Sequence, residues 1–216
     1  FLTDSFLKFL ENLVEWGIAK NIVLDVFTNS SFFPKEKHTQ MLTKFKQVDI
    51  NLSIDAVGER NDFLRKKSKW QVVQDVAKRW EELSIQNNNI SIRISHTVTI
   101  FNSLYLDEFL NWCNTHFDKK TINSDFVHVA VAYGPDYLSV RNFSRPIKEK
   151  LLQIVTKQWN ESNRLFSKSL VDQKFKRIVT ALDSTDSKDP IDSVFEEKTE
   201  MFDKIRNEDW RTTFPK

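Results

Sequence analysis

The sequence of 216 residues is poor in cysteine and glycine and has no long apolar run. Its single cysteine, Cys113, excludes a disulfide framework and any metal site built from several thiolates of this chain. Its three glycines leave no room for a Gly-rich phosphate loop or a dinucleotide fingerprint. Because it has neither a run of about 18 apolar residues nor a signal peptide, we expect no membrane contact and a cytoplasmic location.

An excess of one charge is also missing. Lys and Arg total 32 against 30 Asp and Glu, which gives a formal net charge of +2. Because both signs are interspersed, the charge gives no argument for a nucleic-acid partner or an anionic membrane. A chain of this length with 40% hydrophobic residues is expected to fold around a substantial core. The sequence does not fix an oligomeric state.

The start of the chain is unusual. It opens at Phe1 rather than methionine and runs directly into an amphipathic helix. We interpret the sequence as a piece of a longer protein.

The central stretch NLSIDAVGERNDFLR, residues 51–65, is the most informative part of the sequence. Strict alternation of apolar and polar residues begins just before it and predicts a strand with two unlike faces. The polar face carries Asp49, Asn51, Ser53 and Asp55. A polar strand face needs water or a ligand, and the carboxyl end of such a strand is where βα folds place their chemistry.

Further strands are predicted over 21–29, 90–101 and 126–133, each separated from the next by a helix. This alternation predicts an α/β fold, either an open doubly wound sheet or part of a parallel (βα) barrel. The polar strand faces favour the barrel, with a lumen that holds a ligand. Since four strands cannot close a barrel, we expect N-terminal sequence to be missing. The expected domains are a partial (βα) barrel over 1–145 and a helical C-terminal extension over 146–216.

Four motifs in order along the chain resemble the radical SAM superfamily, especially its peptide-maturase-like members with SPASM or twitch extensions. DVFTNSS, residues 25–31, resembles the family's third strand, with Ser30 in place of the glycine of Thr-Asn-Gly. Residues 51–65 resemble the fourth strand and its S-x-D-G loop with a later arginine; Ala56 stands at that glycine. The other two motifs are TVTIFNSLYLDEFLNWC (97–113), like the fifth strand and its helix, and FDKIRNEDWRTTFP (202–215), like a twitch-type tail.

This resemblance implies four βα units that correspond to strands three to six of the family's barrel. In the family, the matching serine and arginine bind S-adenosylmethionine through its carboxylate and ribose, which assigns Ser53 and Arg65 to this cofactor. A guanidinium suits a carboxylate because it donates two parallel hydrogen bonds. Asn29 and Asp55, both at strand ends, are candidates for binding the ribose hydroxyls or the substrate. Asn102, at the end of the next strand, is a candidate near the nucleoside, and Tyr133, at the end of the fourth strand, could pack on adenine.

The resemblance also shows what this chain does not contain. The C-x3-C-x2-C loop for the family's [4Fe–4S] cluster, and the G-G-E-P strand end for the methionine amino group, would precede Phe1. With one cysteine, the chain cannot bind that cluster or an auxiliary one. We therefore expect the cofactor- and substrate-binding part of a radical SAM enzyme, inactive alone, with no catalytic or metal-binding residue. Its substrate is expected to be a small molecule or a peptide.

Two interpretations from other classes stay open. The chain could be a non-catalytic α/β domain that binds a small ligand or a partner protein. It could also be a metal-independent barrel enzyme that uses Asp55 and Arg93, although no nucleophile–base pair is visible. The upstream coding sequence would distinguish these classes.

Single residues have ordinary interpretations as well. Ser53 and Asp55 could cap the following loop, and Arg65 could be a surface arginine. Because His96 and His128 lie within strands, we predict that both are hydrogen-bonded core residues. We also predict that Cys113 is a buried apolar residue, and that Arg93 pairs with Asp49 or Asn51 on the neighbouring strand.

Overall fold

The computed structural model describes residues 3–122, 126–161, 168–183 and 192–215. Within these ranges the strands form one parallel sheet in chain order: β1 (Val23–Thr28), β2 (Gln47–Ser53), β3 (Ile90–Val98) and β4 (Val127–Val131). The helices are α1 (Asp4–Glu15), α2 (Glu36–Leu42), α3 (Glu59–Leu64), α4 (Trp70–Gln86), α5 (Leu106–His116), α6 (Arg145–Glu161), α7 (Lys168–Asp183), α8 (Asp192–Arg206) and α9 (Trp210–Thr213). The architecture is α/β, a partial parallel (βα) barrel with C-terminal helices.

The strand register places the apolar side chains on one face of the sheet. Ile50 on β2 is the partner of Ile92 on β3, and Leu52 is the partner of Ile94. All four side chains are buried. The long helix α4 lies against β3 and adds Trp80, which is fully buried, to this core. The alternation in the sequence therefore assigned the core face of β2 and β3 correctly.

The opposite face is polar and partly open. Asp49 and Asn51 are buried on this face, whereas Phe27 on β1 is exposed. His128 on β4 is exposed and lies in register with Ser95 on the polar face. The prediction that His128 is a core residue was wrong, because β4 is an edge strand of the described sheet and the face that carries His128 is not covered by the core, which instead receives Val127, Val129 and Val131.

Helix α3 occupies residues that the sequence had suggested were a loop. It begins after Gly58, whose φ of 63° lies in the left-handed region where glycine is favoured. The backbone N–H of Arg65 then donates to the carbonyl of Asn61 and closes the helix. The turn at Gly58 reverses the chain after β2, so Arg65 returns to the end of the strand from which it left.

The C-terminal elements pack over the carboxyl ends of β2 and β3. Phe214, after α9, lies between the rings of Phe63, Phe101 and Tyr105, at centroid distances of 5.3, 5.2 and 5.8 Å. Arg60 donates to the carbonyl oxygen of Thr213 at 3.4 Å. These contacts join the end of the chain to α3 and to the segment after β3. None of the helices described combines the length and apolar character that crossing a bilayer requires.

Candidate functional site

Asp55 is the central residue of the site at the carboxyl end of β2. Its Oδ2 lies 2.6 Å from Nη2 of Arg65, and its Oδ1 accepts from the backbone N–H of Thr97 at 2.8 Å. The structure therefore brings Asp55 and Arg65, two predicted site residues, into direct contact. Because both side chains are largely shielded from solvent, this ion pair fixes the position of the guanidinium.

Arg65 and Ser53 keep unused hydrogen-bonding groups beside this pair. Nε of Arg65 is buried and donates to no group in the described part of the chain. The hydroxyl of Ser53, at the last position of β2, makes no hydrogen bond to a described residue and is half-buried. An N–H donor and a hydroxyl left free at a strand end can together bind an anionic or polar ligand group.

Asn102 connects the ends of the two central strands. Its Nδ2 donates to the carbonyl oxygens of Asp55 at 2.7 Å and of Thr97 at 2.8 Å. Its Oδ1 accepts from the backbone N–H of Thr99 at 2.7 Å and from the Thr99 hydroxyl at 3.2 Å. Both amide donors are thus occupied, so contact between this amide and a nucleoside would require displacing one of these bonds.

Asn29 and Tyr133 lie apart from the Asp55–Arg65 pair. Asn29 is exposed after β1, and its Oδ1 accepts from the backbone N–H and the hydroxyl of Ser31 at 3.2 and 2.7 Å. Tyr133 is 58% exposed after β4, with the guanidinium of Arg141 4.3 Å from its ring centroid. The structure does not bring either residue into contact with Ser53, Asp55 or Arg65.

The polar face below the strand ends carries its own network. Nδ2 of Asn51 donates to Oδ1 of Asp25 at 2.5 Å, and the hydroxyl of Ser91 donates to Oδ1 of Asp49 at 2.5 Å. Nη2 of Arg93 lies 3.6 Å from Oδ2 of Asp49, which confirms the predicted partner of this arginine. Asp25, Asp49, Asn51, Ser91 and Arg93 therefore have partners on this face.

A cavity of about 330 Å³ lies between these strand ends and α8. Two of the predicted site residues, Asp55 and Asn102, line it. Its apolar walls include Phe63, Phe101 and Tyr137, and α8 contributes the polar side chains of Thr199, Asp203 and Arg206 together with Phe202. The volume falls at the lower end of the range for small-molecule pockets, roughly 300–1,000 Å³.

The residues of α8 are the part of this cavity that the sequence-based candidates missed. Phe195, Thr199 and Asp203 recur at helical spacing and form the buried stripe of α8, and Phe202 lies next to this stripe. A carboxylate on the buried side of an amphipathic helix was the available signal. Tyr137 rather than Tyr133 lines the cavity, because the ring further along the loop after β4 turns toward α8.

His96 and Cys113 are core residues, as predicted. The imidazole of His96 is buried, stacks on Phe109 at a centroid distance of 4.0 Å, and has Nδ1 3.2 Å from the carbonyl oxygen of Ile54. Burial lowers the pKa of His96, and the nearby Asp55 carboxylate opposes this shift. Burial also raises the pKa of the Cys113 thiol well above its usual range.

The donor set of this chain does not suit an iron–sulfur cluster. Cys113 is fully enclosed in the core on α5, and the chain has no other cysteine. In the described ranges, no three side chains of His, Cys, Asp or Glu gather as ligands for a metal ion. Any cluster ligands would have to lie outside these 216 residues.

The architecture is that of a partial parallel (βα) barrel, and a solved structure of similar fold is known. This structure is native anSMEcpe with bound AdoMet (S-adenosylmethionine) and Cp18Cys peptide, at a TM-score of 0.50 and 18% identity. The match covers 74% of this chain but 45% of that chain, so this chain spans less than half of its length. At this identity the likeness shows a shared fold. No protein-family model matches the sequence, and no curated protein does.

Proposed function

We propose that this chain is the S-adenosylmethionine- and substrate-binding part of a radical SAM enzyme, with the methionine carboxylate held at the end of β2. The observation that carries the proposal is the Nε–H of Arg65, which is buried beside the Asp55 carboxylate and donates to no group among the described residues. The ordered motifs of the sequence and the fold shared with an AdoMet-bound enzyme support the same conclusion.

The ion pair explains how Arg65 would work. Asp55 takes one terminal nitrogen of the guanidinium, Nη2, at 2.6 Å and so orients the group. The Nε–H edge then stays available for a second carboxylate, with the Ser53 hydroxyl as a further donor. Charge-assisted hydrogen bonds of this kind are about twice as strong as neutral ones. When bound, S-adenosylmethionine would supply the hydrogen-abstracting chemistry of the family, and these residues would hold and orient it while the walls exclude water.

Calorimetric titration of the purified 216-residue chain with S-adenosylmethionine tests this proposal. Arg65→Lys retains a positive charge beside Asp55 but removes the planar fork and the Nε–H. We expect it to weaken binding by about tenfold or more, since a hydrogen bond to a charged group contributes about 1.5–3 kcal/mol. Ser53→Ala should weaken binding by about three- to tenfold through loss of one hydroxyl.

The matched control is Arg145→Lys. Arg145 starts α6, and its side chain is 88% exposed, so the same chemical change there should leave the dissociation constant unaltered. Absence of S-adenosylmethionine binding to the wild-type chain would overturn the proposal. Binding that Arg65→Lys and Ser53→Ala leave unchanged would overturn it too, and a non-catalytic α/β binding domain would then be the better description.

A further inference from the structure

A second cavity, here called the aromatic cavity, lies between the segment after β3, the start of α6, and helices α8 and α9. Its volume is about 300 Å³, at the lower end of the range for small-molecule pockets. Six aromatic side chains contribute to its walls: Phe101, Tyr105, Phe143, Phe195, Trp210 and Phe214. Phe101 is the residue that it shares with the cavity at the strand ends, and its described lining includes neither Ser53 nor Arg65. The aromatic cavity is therefore a separate candidate for ligand binding.

The charged group of this lining is a carboxylate. Glu196 on α8 is the one charged residue among the described residues that line the aromatic cavity. Glu196 and Glu200 both pair with Arg211, at 3.4 and 3.1 Å. Two carboxylates thus share one guanidinium, which leaves one negative charge uncompensated among these three residues at the rim. Such a rim attracts a cation and repels an anion.

The neutral polar groups of the lining are compatible with a positive ligand. Nδ2 of Asn142 donates to the carbonyl oxygen of Asp136, which leaves Oδ1 as an acceptor with no donor among the described residues. The Tyr105 hydroxyl can accept as well as donate. Nε1 of Trp210 is shielded from solvent, so the indole presents carbon atoms rather than its N–H to the cavity. An anionic ligand would find no basic side chain among the described lining residues.

Two of the aromatic rings already attract cations from within the protein. The guanidinium carbon of Arg60 lies 4.1 Å from the centroid of the Tyr105 ring, and that of Arg211 lies 4.7 Å from the centroid of the Trp210 ring. Neither arginine lines the cavity. Because the quadrupole of an aromatic ring makes both of its faces negative, the cavity side of such a ring attracts a cation as well. Several rings beside one carboxylate resemble the aromatic cages that recognise quaternary ammonium groups.

We propose that the aromatic cavity binds the quaternary ammonium group of a small molecule, with the rings around its methyl groups and Glu196 balancing its charge. A primary ammonium suits this site less well, because each of its three N–H donors needs an acceptor and most of the lining is carbon. A quaternary ammonium has no N–H and spreads its charge over methyl groups that pack on the rings. This site is independent of the proposed S-adenosylmethionine site.

Choline and neohexanol test the role of charge directly. In neohexanol a tert-butyl group replaces the trimethylammonium group of choline, so the two molecules have nearly the same shape and differ in charge. In calorimetric titration of the purified chain, we expect choline to bind about tenfold more tightly, because cation–π attraction in a partly desolvated site adds to the charge of the rim. Equal affinities, tighter binding of neohexanol, or absence of choline binding would each overturn the proposal.

Two variants test whether choline binds in this cavity. Glu196→Gln should weaken choline binding by about two- to fivefold and leave neohexanol binding unaltered, a modest effect because the side chain is 55% exposed and its charge is screened. Arg211 keeps its second partner, Glu200, in this variant. Phe143→Leu removes one ring but retains an apolar side chain, and should lower the preference for choline by about twofold or more. The control is Glu197→Gln, an exposed acid on α8 outside the cavity lining, which should leave the preference unchanged.

The outcomes separate this cavity from other binding sites. If both Glu196→Gln and Phe143→Leu keep the full preference for choline, the ligand binds elsewhere and the proposal is overturned. Arg65→Lys should leave choline binding unchanged, because Arg65 does not line the aromatic cavity. Loss of choline binding in Arg65→Lys would place choline at the strand ends and would also overturn the proposal. If the wild type prefers choline, and Glu196→Gln reduces that preference, the site stands whether or not S-adenosylmethionine binds.

Discussion

Replacing Asn102 with alanine should destabilise the protein more than any loss of a surface asparagine, because this side chain ties the ends of β2 and β3 together. The residue is 1% exposed, so water cannot take its place. Three of its bonds, to the Asp55 carbonyl, the Thr97 carbonyl and the Thr99 amide, span 2.7, 2.8 and 2.7 Å. At about 1 kcal/mol for each, their loss should lower the free energy of unfolding by about 3 kcal/mol.

Equilibrium urea unfolding followed by circular dichroism measures this change. A loss of about 3 kcal/mol is large against a typical total of about 5–15 kcal/mol and should move the midpoint clearly. Asn111→Ala is the matched control, since Asn111 is exposed on α5 and should alter the free energy by less than about 0.5 kcal/mol. An effect of Asn102→Ala as small as that of the control would refute the role of Asn102 in joining the ends of β2 and β3.

Asn102→Asp tests the hydrogen-bond geometry itself. The substitution retains an acceptor for the Thr99 amide but replaces the two donors with an oxygen that faces the carbonyls of Asp55 and Thr97. Although the shape is nearly unchanged, we expect this variant to be at least as unstable as Asn102→Ala at neutral pH, because the new contacts are repulsive. A milder effect than that of alanine would show that the two donors contribute little.

Three further predictions concern single residues. Burial lowers the pKa of His96, so below its ordinary value of about 6.5 the unfolded chain binds a proton that the folded chain does not, and the free energy of unfolding should fall with falling pH. His96→Gln should reduce this dependence in urea titrations and His38→Gln should not; equal slopes would contradict the assignment. Burial raises the pKa of the Cys113 thiol, so Ellman's reagent at about pH 8 should label it only after unfolding, and rapid labelling of the native chain would refute its enclosure. Ser30 has a φ of 57° and a buried hydroxyl without a described partner, so Ser30→Gly should raise the free energy of unfolding by about 1 kcal/mol, and a loss of stability would show that the hydroxyl matters more than the backbone strain.

The sequence was most informative where a local pattern decides the structure. A period of two along β2 and β3 is enough to sort Ile50 and Leu52 from Asp49 and Asn51, because successive strand residues point to opposite faces. The same pattern predicted that Arg93 pairs with Asp49 or Asn51 on the neighbouring strand, and the structure shows Asp49 as the partner. At Ser30 the sequence hides a local feature. The Thr-Asn-Gly motif that residues 25–31 resemble has glycine at this position, and Ser30 adopts the left-handed backbone conformation that favours glycine.

What the sequence did not reveal depends on contacts between distant segments. Phe63 and Phe214 lie at opposite parts of the chain yet pack ring against ring, and no periodicity within either segment encodes that meeting. The same reason explains why Tyr133 was chosen over Tyr137 and why Asp203 was overlooked. Local patterns identify a buried side of α8, but only the packed structure shows that this side covers the ends of β2 and β3.

The division between satisfied and unsatisfied polar groups is what separates supporting residues from ligand-facing ones at these strand ends. Asp55 and Asn102 were candidates because of where they stand, yet the chain itself uses nearly all of their hydrogen-bonding capacity. Nε of Arg65 and Oδ1 of Asp203 are buried and lack partners in the described chain. Burying such groups lowers stability, and at a strand end a ligand can offset that loss. The donor of Arg65 lies beside the Asp55 carboxylate at the end of β2, which is the arrangement that the proposed carboxylate site requires.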